Sequence, residues 1–103
     1  MPKNYISLET AQSWAREYRH SSTTNTIGFV IPRANLEQLL ACPDGVDVCA
    51  YLGINAQGEE TLMFVSTDAN GRDLIDAANG QFIYDYSRKC PPAGDGLSPL
   101  YNE

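Results

Sequence analysis

Few residues of this chain could act as nucleophiles, metal ligands or acid–base groups. There are three cysteines, Cys42, Cys49 and Cys90, and a single histidine, His20. A catalytic triad or a Cys–His pair needs a histidine that moves the proton. His20 ends a helical pattern on its polar side, where it is favoured as a cation beside the last helix carbonyl groups. Structural zinc usually uses a close pair such as Cys-x₂-Cys, and no two cysteines here are so spaced, so we predict neither a triad nor a zinc site.

The thiol chemistry that remains is that of one cysteine acting alone. Cys90 follows Arg88 and Lys89, and neighbouring cations lower the pKa of a thiol and raise its thiolate fraction. We therefore regard Cys90 as a possible reactive and accessible thiol, without a resolving partner in the sequence. Cys49 lies within a strand pattern and is expected to be a small buried residue. The odd number of cysteines predicts reduced thiols and no intrachain disulfide.

The segment DANGRD at residues 68–73 brings together the oxygen-bearing side chains of Asp68, Asn70 and Asp73. A calcium loop of the EF-hand type has glycine at its sixth position and glutamate at its twelfth. Here glycine comes fourth, so a tight turn is the better interpretation. Asp76 and Asp85 could do acid–base work at a sheet face, but the sequence gives them no partner. The glycine-rich tail lacks a phosphate-loop lysine, so no cofactor is predicted.

Size and charge limit the classes of partner. The chain has 103 residues and a formal net charge of −6, which allows one domain spanning residues 1–103. Nucleic-acid binders usually carry a basic patch, and seven Lys and Arg among thirteen acidic residues do not form one. There is no apolar run long enough for a membrane span and no apolar signal segment. We therefore predict no nucleic-acid or membrane partner and a cytoplasmic location.

The elements that must position these residues centre on a hairpin at residues 46–65. Apolar and polar residues alternate through its first half, which puts Val46, Val48, Ala50 and Leu52 on a predicted buried face. The segment 55–58 favours a turn, and the second half, TLMFV, is apolar on both faces and suits a central strand.

A helix is predicted from an N-cap at Ser7 to about Arg19. Its apolar residues share one arc of the helix: Leu8, Ala11, Trp14, Ala15 and Tyr18. We expect Trp14 to be largely buried between this helix and the hairpin.

The remaining pattern predicts one short strand, one short helix and one further strand. The strand covers 27–31; the helix starts at a capping box formed by Asn35 and Gln38 and ends before Pro43. The second strand covers residues 81–86, and residues 88–103 form an irregular Pro- and Gly-rich tail. The predicted fold is α+β in the order α-β-α-β-β-β. Two helices pack on one face of a mostly antiparallel four-stranded sheet, with the pairing of the strand at Ile27 left open.

The tail ends with three apolar residues in five positions, Leu97, Leu100 and Tyr101. Burying two leucines and a tyrosine can offset the entropy lost when a short segment becomes ordered. We therefore expect this tail to dock, on its own sheet or on a neighbouring copy, and treat the three residues as partner-binding candidates.

Several segments of the chain form a recognisable set: ISLETAQSWAREYR, FVIPRANLEQLL, a YLG strand, DANG, and IYDY leading to CPP and SPL. Together they resemble a family of small uncharacterised bacterial proteins, mostly from Bacteroidota. The resemblance implies a helix-plus-sheet domain of this size with no assigned activity. Members often continue CPP-x-Cys, and Gly94 stands here in place of that second cysteine, which puts a paired-thiol role in doubt.

The sequence favours a non-enzymatic module that binds a protein partner or itself. Six tyrosines in a short chain, exposed strand edges and an apolar tail are typical of interaction surfaces. The alternative is a small-molecule binder or enzyme that uses a thiol or carboxylate in a pocket on the sheet face. A wide open sheet face would favour the first, and a deep pocket with convergent polar groups the second.

Overall fold

The structure, a computed structural model, describes residues 2–103. It confirms the α+β class, with two helices and antiparallel strands. In chain order the elements are α1 (Leu8–Ser21), β1 (Gly28–Val30), α2 (Arg33–Leu40), β2 (Asp47–Ile54), β3 (Glu60–Thr67), β4 (Asp73–Leu74), a 3₁₀ turn (Ala77–Asn79) and β5 (Arg88–Cys90). The strands form two sheets, β1–β5 and β2–β3–β4, so the predicted single four-stranded sheet is wrong.

The central hairpin is confirmed. β2 and β3 pair antiparallel over their whole length, from Asp47 opposite Thr67 to Ile54 opposite Glu60. The Asn55 side chain closes the turn by accepting hydrogen bonds from the Gln57 and Glu59 amides. Alternation of side chains and a strong local turn thus specify this element without help from distant parts of the chain.

β3 is the central strand of its sheet, but the strand predicted beside it at residues 81–86 does not form. Tyr84 alone makes a bridge there, exchanging both backbone hydrogen bonds with Phe64. Beyond it the Ser87 hydroxyl, rather than a main-chain group, bonds the Leu62 amide and carbonyl. Between them, Tyr86 has φ 66°, a left-handed conformation that interrupts extended backbone.

The second sheet comes from a region predicted to be irregular. β5 pairs antiparallel with β1, placing Cys90 opposite Gly28 and Arg88 opposite Val30. The prediction of an irregular tail from residue 88 is therefore wrong for its first three residues. Pro91 and Pro92 follow at once and end the strand, since neither can donate a backbone hydrogen bond.

α1 begins where the sequence predicts, with the Ser7 hydroxyl accepting from the Thr10 amide. It contains no buried residue, and Trp14 is 62% exposed, so the expectation that Trp14 is buried against the hairpin is wrong. The helix is held by polar contacts instead. Arg16 pairs with Glu103, and the Tyr18 hydroxyl donates to the Thr26 carbonyl.

α2 packs on β3, and its start differs from the predicted capping box. Its N-cap is Pro32, which makes no side-chain cap. Asn35 is buried one turn inside the helix, where its amide donates to the Asp85 carbonyl at 2.7 Å. The Ser66 hydroxyl donates to the Leu39 carbonyl, which fixes the end of α2 over β3. The requirement for a buried polar partner thus outweighs the local capping signal.

The buried apolar core is small and the fold is flat. The apolar residues that are almost fully buried are Leu39, Phe64, Val65 and Cys90. The radius of gyration is 15.6 Å, against about 13 Å for an average domain of this length. The principal extents are 43 × 40 × 23 Å. Within residues 2–103, no helix is both long and apolar enough to cross a membrane.

Candidate functional site

One face of β2 is apolar and open to solvent. Its side chains are those of Val48, Ala50, Leu52 and Ile54, and Leu52 is 75% exposed. These residues, together with the outer edge of the strand, are called the β2 surface below. The sequence predicts that this face is buried, which is wrong: α2 packs on β3, and these four side chains of β2 stay exposed.

The backbone of the β2 surface is unpaired on its outer side. Asn55 donates to the Glu59 carbonyl, and Phe64 turns its amide and carbonyl away from β2 toward Tyr84. Because hydrogen-bonded and non-hydrogen-bonded pairs alternate along an antiparallel ladder, odd-numbered residues of β2 bond to β3. The amides and carbonyls of Val48, Ala50 and Leu52 therefore point outward, and no group within residues 2–103 bonds to them.

This edge lacks the features that usually keep sheet edges from pairing. Natural edge strands are short, bulged, covered, or carry lysine or proline. β2 has eight residues in unbroken register with β3, and its only charged residue is Asp47 at one end. Nothing in the strand itself thus opposes the addition of another strand.

On the opposite face of β2, a tyrosine forms a hydrogen bond with a carboxylate. The Tyr51 hydroxyl donates to Asp73 Oδ2 at 2.5 Å. The bond crosses over β3: Tyr51 on β2 lies opposite Met63 of β3, and Asp73 on β4 lies opposite Thr67 on the other side of β3. The hydrogen bond to Asp73 raises the pKa of Tyr51 from its ordinary value of 10.0 to about 12, since the bond stabilises the protonated hydroxyl.

The far end of the β2 surface continues into an apolar cavity of about 310 Å³. Its walls include Tyr18, Ile27, Phe29 and Leu52. Its rim is fixed by Glu60, whose carboxylate accepts from the hydroxyls of Thr26 at 2.6 Å and Thr24 at 2.8 Å. These bonds, that of Thr26 first, lower the pKa of Glu60. Their contribution to stability is present above the ordinary carboxyl pKa and is lost as the pH falls through the lowered value.

Cys90, the predicted reactive thiol, is buried rather than accessible. It lines a cavity of about 310 Å³ together with Phe29, Leu100 and Tyr101, so a reagent reaches the thiol only through that cavity. Cys42 and Cys49 are partly buried, and all three cysteines are free.

The predicted tail residues divide into two groups. Leu97 is 93% exposed, whereas Tyr101 packs near Gly94 and Cys90. Leu100 is half-exposed, and its carbonyl accepts from the Arg19 guanidinium at 2.5 Å. Glu103 accepts from Arg16 and from the Gln12 amide. The end of the tail thus docks on its own chain: Leu100 and Glu103 bond to α1 through polar groups, and Tyr101 packs beside Cys90.

The acidic candidates of the sequence have structural partners. Asp68 accepts from the Asn70 and Arg72 amides, which confirms the tight turn at 68–73. Asp76 caps the 3₁₀ turn. Asp85 accepts from the Thr61 hydroxyl at 2.5 Å and lines a cavity of about 530 Å³. Among residues 2–103, no group of three or more His, Cys, Asp or Glu lies close enough to hold a metal ion.

Sequence reasoning located the strand of the β2 surface but not its exposure. No local signal could have found this exposure, because VDVCAYLGI lacks the lysine and proline that a strand at a solvent edge normally carries. Comparisons with models of protein families, with curated proteins and with solved structures found no match. The resemblance to the Bacteroidota proteins stays a prediction.

Proposed function

We propose that this protein is a non-enzymatic module that acts by associating with a second copy of itself. The observation that carries this proposal is the amount of surface that one chain leaves in water. Its accessible surface is 7573 Å², whereas a monomer of 11.3 kDa has about 5,700 Å² by the usual scaling with mass. The excess is about 1,800 Å².

That excess has the size of one subunit's share of a permanent dimer. Interfaces of obligate homodimers bury about 2,000 to 5,000 Å² in total, or about 1,000 to 2,500 Å² from each chain. Such interfaces are also more apolar than the rest of the surface. The exposed side chains here supply that character, because Val48, Leu52 and Ile54 on β2 and Trp14 on α1 all lie open.

The small core supports the same proposal. A domain of this length normally buries more than about 60% of the surface of its unfolded chain around one core. Here α1 contributes no buried residue. A second copy that covers apolar surface adds the burial that the single chain lacks.

The experiment that tests the proposal is the mass of the native chain in solution, measured by light scattering over a wide range of concentration. We expect twice the chain mass of 11.3 kDa. A mass equal to one chain throughout that range would contradict self-association.

We further propose a cytoplasmic location, where the three free thiols stay reduced, and no nucleic-acid partner.

The second candidate function, small-molecule binding, is favoured by the cavity beside Cys90. It joins a thiol, the Phe29 and Tyr101 rings and the Arg19 side chain around about 310 Å³, which lies at the lower end of typical ligand pockets. Screening of small apolar carboxylates by ligand-observed NMR tests it. Binding that vanishes in Phe29→Ala but persists in Phe82→Ala would support this function, and the absence of any ligand would leave the self-association proposal alone.

A further inference from the structure

We propose that the outer edge of β2 pairs antiparallel with the same edge of a second copy, which joins the two three-stranded sheets into one. The inference rests on the proposed function and names its interface. The outward amides and carbonyls of Val48, Ala50 and Leu52 find no partner in their own chain. In a second copy they meet an identical row of donors and acceptors, as a two-fold axis requires.

The alternation of the ladder restricts how two copies can pair. The backbone groups that point outward from β2 belong to even-numbered residues. In the new ladder an even-numbered residue must therefore lie opposite an even-numbered residue of the second copy, and an odd-numbered residue opposite an odd-numbered one. The two-fold arrangements that overlap most of β2 therefore have their axis at Ala50 or at Tyr51. An axis at Ala50 places Val48 opposite Leu52 of the second copy, and an axis at Tyr51 places Val48 opposite Ile54 of the second copy.

Both arrangements bring apolar side chains together and avoid opposed charges. The exposed face of β2 consists of Val48, Ala50, Leu52 and Ile54, and apolar cross-strand pairs of this kind stabilise a sheet. Asp47 lies opposite Gly53 of the second copy in the first arrangement and opposite Asn55 in the second. The net charge of −6 is thus carried almost entirely outside the new ladder.

A second copy is favoured over an extended peptide of another protein by the area that must be covered. A single added strand covers only the edge of the sheet. The surface excess of about 1,800 Å² instead matches the area that one whole subunit buries in a permanent dimer. Joining the sheets also places the exposed apolar faces of the two β2 strands side by side, as one continuous apolar surface. The cavity at Leu52 and Tyr18 lies beside that surface, where a second copy's residues can enter it.

The test changes the edge while leaving the β2–β3 ladder intact. Ala50→Pro removes an outward amide and no bond to β3, and Leu52→Lys places a charge on the exposed face. The matched control, Leu40→Lys, puts the same charge on a residue of α2 that is 85% exposed. We expect both edge variants to weaken dimerisation at least tenfold with unchanged circular dichroism, and the control to dimerise like the native chain.

Cross-linking then locates the axis. In a Cys42→Ser/Cys49→Ser background, Ala50→Cys forms an interchain disulfide if the axis lies at Ala50, and Tyr51→Cys does so if it lies at Tyr51, because residues at the axis face themselves at disulfide range. A covalent dimer from either variant supports the inference. A native dimer that forms neither cross-link and resists both edge substitutions would overturn the interface but leave self-association standing. A native chain that is monomeric would overturn both.

Discussion

Phe64 is the largest of the nearly fully buried apolar side chains, and its truncation gives the sharpest stability prediction. Phe64 is 4% exposed at the middle of the central strand β3. It shares its face of the sheet with Ser66, which bonds to α2. Phe64→Ala loses the transfer free energy of a buried ring and leaves a cavity, together about 3 to 5 kcal/mol.

Phe82→Ala is the matched control, since it removes the same ring from a position that is 48% exposed. Because the Phe82 ring is only about half buried, its removal should cost about half the transfer free energy of a fully buried ring, or about 0.8 to 1.5 kcal/mol. Thermal and urea unfolding at one fixed protein concentration measures both variants, because self-association makes stability depend on concentration. At about 4 to 8 °C per kcal/mol for a domain of this size, Phe64→Ala lowers Tm by at least about 12 °C. Equal losses in the two variants would refute the assignment of Phe64 to the core.

Three further predictions test other parts of the structure. Trp14, the only tryptophan, is expected to emit at long wavelength and to be quenched by iodide. The measurement uses Leu52→Lys, the variant with weakened dimerisation, so that a second copy does not cover the ring. Blue-shifted emission protected from iodide would show that α1 packs differently. Tyr51 should titrate near pH 12 by tyrosinate absorbance, and Asp73→Ala should return it toward 10.0. The stability from this bond is present below pH 10 and lost toward pH 12, and identical titration of the two proteins would exclude the bond. Removing residues 100–103, which include Glu103, should speed amide exchange in α1 while β3 stays protected; unchanged exchange in α1 would contradict tail docking.

Local signals in the sequence were sufficient for the hairpin and for the start of α1. The turn at Asn55–Gly58 and the N-cap at Ser7 each depend on residues within four positions of one another. Propensity and capping rules describe such interactions directly. No information from the rest of the chain was needed.

The placement of the last strands could not be read from the sequence, because tertiary partners overrode the local pattern. Residues 81–86 alternate like a strand, yet Ser87 bonds β3 with its side chain and Tyr86 takes a left-handed conformation. Arg88–Cys90, predicted irregular, pairs with β1. β propensity depends on neighbours across the sheet, and a single sequence does not show them.

The candidate surface was misread for a related reason. A period of two shows which residues share a face of a strand, but it does not show what covers that face. The sequence placed both helices over the hairpin, whereas α2 covers β3 and α1 is tied to the tail through Arg16 and Glu103. The apolar face of β2 was therefore predicted to be core, and in the structure it lies at the surface.

The most direct measurement of the central claim is residue-resolved amide exchange along β2, at a concentration well above that of half-association. In a free edge strand, the odd-numbered amides of Cys49 and Tyr51 are protected by β3 while the even-numbered amides exchange quickly. If a second copy pairs with this edge, Val48, Ala50 and Leu52 become protected as well, and their protection rises with protein concentration. Rapid exchange at these three amides, unchanged over the whole concentration range, would contradict the account.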